Sequence, residues 1–149
     1  MGLKLSIDPG TTREHPLGVC WWLNGKPIEA YSIKPKPRDY GDRCRFLISA
    51  LEKHMQERQE RYLQVETIAV EAFIRWVPPN RQYAIRQLSR FSGYLQGYFE
   101  GLGHHVIEVD KGQTPKAQAR MLGKQYGFNT EDQDACDALL VGFLAGFGR

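Results

Sequence analysis

Three places in this chain put carboxylates where apolar side chains would be expected. The opening run Leu3-Lys4-Leu5-Ser6-Ile7-Asp8-Pro9-Gly10-Thr11 ends a strand pattern in an acid and a glycine turn. In Ile68-Ala69-Val70-Glu71-Ala72-Phe73 a glutamate ends a second strand with a buried pattern. In Asp134-Ala135-Cys136-Asp137-Ala138-Leu139-Leu140 two aspartates stand three apart at the front of an apolar helix. An ionised carboxylate taken out of water costs several kcal/mol unless it is paired or coordinates a metal. No equally regular set of buried lysines or arginines accompanies these acids, so a divalent cation is the simplest partner.

Side chains three apart on a helix share a face. The acids therefore converge if the sheet sets the Asp8 and Glu71 strands side by side and the last helix crosses their ends. Such a cluster suits two magnesium ions about 4 Å apart, holding an attacking water and the leaving oxygen of a phosphodiester. Oxygen ligands favour magnesium or manganese over zinc. Taken singly, each acid has a plainer explanation. Asp8-Pro9-Gly10 is equally a tight turn, Glu71 a strand-end charge facing water, and Glu131, Asp132 and Asp134 complements to a helix dipole. Asp137 lies deeper in its helix and escapes that explanation. The conjunction carries the metal reading.

The elements that must position these acids follow from pattern. Residues 3–8 and 17–23 are strands, and Asn24-Gly25 is a hairpin signal into a third strand at 26–33. Pro35 and Pro37 punctuate the passage to a helix from Asp39 to about residue 60, with Cys44, Leu47, Ile48, Leu51 and Met55 at helical spacing. A fourth strand at 65–71 lacks polar alternation, as a central strand should, and leads into a loop through Val77-Pro78-Pro79. Asn80 is expected to cap a long helix with Ile85, Leu88, Phe91, Leu95 and Leu102 on its buried side. Gly93 and Gly97, four apart, either permit close approach or are unrelated. A fifth strand, 105–109, passes through Asp110-Lys111-Gly112 to Thr114-Pro115 and a helix to about residue 126. Thr130 with Gln133 resembles a capping box for a last helix running to Phe147. The order βββαβαβαα predicts an α/β fold, a mixed five-stranded sheet with helices on its faces.

At 149 residues with 42% hydrophobic content the chain is read as one domain, 1–149, with a substantial core. A net charge of +3 allows nucleic acid without announcing it. Cys20, Cys44 and Cys136 show no paired or metal-finger spacing and read as reduced thiols of a cytoplasmic protein. No leader and no apolar run of membrane-spanning length is expected. Lys116, Arg120 and Lys124 recur every fourth residue as one basic stripe, and Arg75, Arg81, Arg86 and Arg90 cluster after Glu71. Both sets are either solvated faces or phosphate contacts that position DNA without reading its bases. Phe73, Ile74 and Trp76 follow a candidate catalytic acid, where apolar groups could wedge between bases or cap the core or a dimer interface.

Taken together, Ile7-Asp8-Pro9-Gly10-Thr11, Val70-Glu71-Ala72-Phe73, Pro115-Lys116-Ala117-Gln118 and Asp134-Ala135-Cys136-Asp137-Ala138-Leu139 resemble the ordered motifs of RuvC-type Holliday-junction resolvases. The resemblance spans nearly the whole chain and implies the RNase H-like fold. It implies Asp8, Glu71, Asp134 and Asp137 as catalytic acids binding two Mg2+ ions, with Mn2+ able to substitute. It further implies a four-way DNA junction as substrate and a homodimer in which each subunit nicks one strand. Lys116 is assigned to the scissile phosphate or its neighbours, Phe73 to the wedge position, and Lys111 to a lesser DNA contact. The segment Thr11–Gly18 departs from the pattern, with Pro16 and Leu17 where relatives usually show more glycine, and the loop from Val109 to Thr114 is shorter. A divergent or phage-encoded member, acting in the host cytoplasm, fits these departures. No partner helicase can be assigned.

Two further readings compete. One is a branched-DNA-binding protein of the same fold with impaired catalysis, or a related nuclease acting on flaps or RNA/DNA hybrids. The other starts from the similarity of Asp8-Pro9-Gly10-Thr11 to the phosphate loop of sugar kinases and actin-like ATPases. Those enzymes close two lobes over a nucleotide, and 149 residues supply one.

Overall fold

The computed structural model describes residues 2–72, 79–110 and 116–148. Five strands, β1 (Leu3–Asp8), β2 (Leu17–Leu23), β3 (Lys26–Ile33), β4 (Val65–Glu71) and β5 (His105–Val109), form one sheet in the order β3-β2-β1-β4-β5. The first three run as an antiparallel meander, whereas β4 lies parallel to both β1 and β5. Asn24 and Gly25 both take positive φ, 52° and 82°, the backbone that a tight two-residue hairpin requires.

Among the described residues four α-helices flank the sheet: α1 (Tyr40–Arg61), α2 (Gln82–Gly101), α3 (Lys116–Gln125) and α4 (Gln133–Leu144). The described architecture is the expected βββαβαβαα. Strand side chains alternate between faces, and this period sorts the core. Leu5, Ile7, Val19, Trp21, Ile68 and Val70 pack against Leu47, Leu51, Phe91, Leu95 and Phe99 of α1 and α2. On the other face Cys20, Trp22 and Ala69 pack against Ala138, Leu139 and Val141 of α4, and α3 rests on α4 through Ala119, Cys136 and Leu140. The consecutive tryptophans of β2 thus point opposite ways: Trp21 donates its indole N–H to Tyr31 and Trp22 to Ser6.

Local signals hold in part. Asp39 caps α1, accepting from the Asp42 N–H. Asn80 does not cap α2, because Pro79–Arg81 form a 3-10 turn that runs directly into the helix, and Arg81 occupies the cap position with no side-chain bond. Thr130 and Gln133 form no capping box. Asp132 caps α4 instead, accepting from the Ala135 N–H at 3.1 Å and from the Ser32 hydroxyl at 3.0 Å. A cap that also ties the helix to β3 outcompetes one that makes only the local bond. The helix stops at Leu144, and Gly146, at φ 81°, closes its end by turning the chain so that the Phe147 N–H returns to the Gly142 carbonyl. Leu102 is 56% exposed, with Phe99 taking the last buried position on α2. Cβ atoms built on Gly93 and Gly97 meet nothing within 4 Å, so neither glycine serves a close approach among the described residues. Cys20 and Cys136 are buried, Cys44 is half-buried, and all three are free thiols. No helix among the described residues is long and apolar enough to cross a membrane.

Candidate metal centre

Asp8 ends β1 at the position where the chain leaves the sheet. Its parity matches that of Ser6, whose hydroxyl donates to the Ala138 carbonyl of α4 at 2.7 Å, so Asp8 faces α4. Ile7 pairs with Val70 across the parallel β1–β4 ladder. Asp8 and Glu71 therefore lie one step beyond, at neighbouring strand ends and on the same sheet face. The end of β4 is pinned twice: Ser92 of α2 donates to the Glu71 carbonyl at 2.6 Å, and the Ala72 N–H donates to Val109.

The front of α4 reaches this edge through a glycine. Gly18 is the β2 partner of Asp8, and a Cβ there would collide with the Asp134 carbonyl oxygen and crowd Ala138. Only a residue without a side chain lets the first turn of α4 lie directly on β2 beside Asp8. Gly10 performs a similar service: a Cβ there would strike the His15 and Pro16 carbonyls, so the loop from Thr11 folds back over the end of β1. That loop is tied by reciprocal bonds between Thr12 and His15. The segment that departs from the RuvC pattern thus closes on the acids through Gly10 and Gly18.

The result is a cluster in which Asp8, Asp134 and Asp137 each offer a carboxylate oxygen within 4.8 Å of the other two. Asp8 and Asp137 are 8% exposed, and Asp134 is half-buried. Glu71, 1% exposed, lies outside that mutual distance and adjoins the group from the β4 side. Burial pushes the Asp134 carboxyl up to about 6, with the charge of Asp137 and then Asp132 adding to it, while His15 and Lys116 oppose the rise. Like charges this close resist ionising together. An all-oxygen, largely buried donor set fits a hard divalent cation, and a cation of that kind removes the repulsion.

Gln133 was not among the sequence candidates for the site. Its amide donates to Asp137 Oδ1 at 2.9 Å and to the Lys116 carbonyl at 3.5 Å, and its carbonyl accepts from Arg120 at 3.2 Å. It thereby links a cluster acid to the head of α3. Its place four residues before Asp137, on one helix face, was the available signal.

The other expected residues divide. Lys116, Arg120 and Lys124 are exposed on α3, and Lys116 is near enough to act electrostatically on Asp134. Arg81 is exposed at the start of α2. Arg86 and Arg90 are exposed on α2, which covers the sheet face opposite α4, and Arg90 lines a groove with Tyr40, Cys44 and Tyr94. Phe73, Ile74, Arg75, Trp76 and Lys111 lie outside the described residues.

No family model matches this sequence, and no curated protein matches it. Solved structures do. Thermus thermophilus RuvC in complex with Holliday junction substrate superposes with a TM-score of 0.64 at 19% identity, covering 99% of this chain and 94% of that one. A second Thermus thermophilus RuvC structure gives 0.63 at 20% identity, covering 97% and 93%. The superpositions extend over nearly the full length of both molecules, and the chain has the RuvC-type, RNase H-like fold.

Proposed function

We propose that this protein is a divalent-cation-dependent, structure-selective DNA endonuclease that resolves four-way junctions. The observation that carries the reading is the meeting of Asp8, Asp134 and Asp137 at one sheet edge, with Glu71 at the neighbouring strand end. The RuvC fold supports it, since one superposed neighbour holds Holliday junction substrate. Asp8, Glu71, Asp134 and Asp137 would hold two magnesium ions, manganese substituting. Bound there, the cations would activate water as nucleophile and stabilise the leaving oxygen of a phosphodiester.

The chain's own residues do the rest. Gln133 holds Asp137 in place and couples it to α3. Lys116, at the head of that helix, meets the scissile phosphate or its neighbour, aided by the positive helix end. Arg120 and Lys124 continue the phosphate contacts along α3, with Arg75, Arg81 and Lys111 as further contacts and Phe73 and Trp76 as the wedge. The unit is a single domain acting as a homodimer in the cytoplasm, each subunit nicking one of two symmetric strands to leave ligatable ends.

The test is a panel of labelled four-way, Y-shaped and linear substrates incubated with magnesium or manganese. The reading requires paired symmetric nicks in the four-way junction alone or far faster than in the controls. Equal cutting of linear DNA, or binding of the junction with no cutting in either metal, overturns it.

A further inference from the structure

Beyond the α3 stripe, a second cationic surface lies near the carboxylates. The passage from β3 to α1 reads Lys34-Pro35-Lys36-Pro37-Arg38, alternating cation and proline. Lys34, Lys36 and Arg38 are exposed while Pro35 is buried, in a segment outside the sheet that bends at Arg38 before α1. Residues two apart in extended chain stand about 7 Å apart, a pitch of the same order as successive phosphates along a nucleic-acid strand. Proline fixes φ, which lowers the entropy lost when such a segment binds.

Two grooves connect this segment to the metal centre. One, of about 420 Å3, is lined by Asp134, Asp132, Glu131 and Glu14 together with Arg13 and Lys34, so phosphate contacts there fall to its two cations. The next, of about 530 Å3, shares Arg13 and is lined by Lys36, Arg38 and Arg43, with Glu14 its one acid. Among the described residues none of Arg13, Lys34, Lys36 and Arg38 forms a salt bridge. Arg43 differs from them, because its guanidinium donates to the carbonyls of Thr11 and Arg38 and so clasps the loop after Asp8 to the basic segment. The track is thus held at a set position relative to the cluster. The second groove contains no aromatic side chain and no amide that could read a base or seat a peptide side chain.

We infer that Arg13, Lys34, Lys36 and Arg38 form a backbone-phosphate track that carries a DNA strand away from the carboxylate cluster. The metal centre then has two phosphate-binding surfaces near it, and the track contributes affinity without sequence preference. This rests on the nuclease reading, and the experiment separates the two.

The triple variant Lys34→Ala/Lys36→Ala/Arg38→Ala is compared with wild type and with Lys26→Ala/Lys53→Ala/Arg61→Ala, which removes the same charge elsewhere. Dissociation constants are measured on a four-way junction and on a linear duplex across 50 to 200 mM salt. The track variant should bind at least tenfold more weakly on both DNAs near 100 mM. Its slope of log K against log salt should flatten by about 2 to 3, roughly 0.9 for each phosphate that is no longer neutralised. The control should keep the wild-type slope. If the two triple variants behave alike, the track is refuted. If wild type does not distinguish the junction from the duplex, the junction reading falls, while the slope difference on the duplex still decides the track. Loss of binding only to an acidic peptide competitor, with DNA binding intact, also refutes it.

Discussion

Replacing Asp137 by asparagine should make the cation-free protein more stable while removing its response to cations. Asp137 has two carboxylate neighbours within 4.8 Å. At that separation two unit charges repel by about 0.9 kcal/mol in water and ~3.5 kcal/mol at an effective dielectric constant of 20. The site is 8% exposed at Asp137, so the upper part of this range is the relevant one, reduced by whatever protonation relieves. A net gain of about 1–3 kcal/mol is expected near pH 8 in chelator, above the raised Asp134 value of about 6. Asparagine keeps an oxygen to accept the Gln133 amide, so the hydrogen bond that wild type makes there is retained. Urea unfolding in chelator and again in millimolar manganese measures both quantities. Wild type should gain stability with manganese, and the variant should start higher and gain little. A variant less stable than wild type in chelator, or one that gains as much from manganese, would refute the idea that like charges are crowded here for a cation.

Three other outcomes follow from the same geometry. The Asp134 carboxyl is raised to about 6 from 3.8, so its contribution to cation-free stability is full below pH ~3.8 and is lost as pH rises through about 6. Midpoint temperatures in chelator between pH 4 and 8 should show this fall in wild type and not in Asp134→Asn, and stabilisation by manganese should grow over the same window. Gly18→Ala drives a methyl into the Asp134 carbonyl, and a loss of about 2–4 kcal/mol by urea unfolding, with weakened manganese response, is expected. Gln133→Ala leaves the fold within about 1 kcal/mol but releases Asp137 and the head of α3. It should slow junction cleavage about tenfold at saturating cation, a loss that wild-type-like thermal melting would separate from unfolding.

Much of the fold was legible because its signals are local. Period-two alternation located β1, Asn24-Gly25 located the hairpin into β3, and Asp39 located the start of α1. The errors arose where tertiary contacts choose between adequate local options. Asp132 displaces Thr130 as the α4 cap because only Asp132 also reaches Ser32 of β3. Phe99 rather than Leu102 completes the buried stripe of α2 because the helix ends before Leu102 can turn inward. The candidate site was legible as an oddity of burial: acids inside apolar runs have few physical excuses. What fixes its shape was not legible, since the need for glycine at position 18 exists only once the Asp134 carbonyl is known to press on β2. Arg86 and Arg90, grouped with the acids by closeness to Glu71 in sequence, are exposed on α2, whose buried residues pack on the sheet face away from α4.

The most direct test of the central claim is single-turnover cleavage of a labelled four-way junction by wild type and by Asp8→Asn in manganese, with junction binding measured in parallel. A loss of at least about a thousandfold in rate, equivalent to ~4 kcal/mol of barrier, with binding retained, is the predicted result. Cleavage by Asp8→Asn at the wild-type rate would contradict a metal centre built on the β1 and α4 acids.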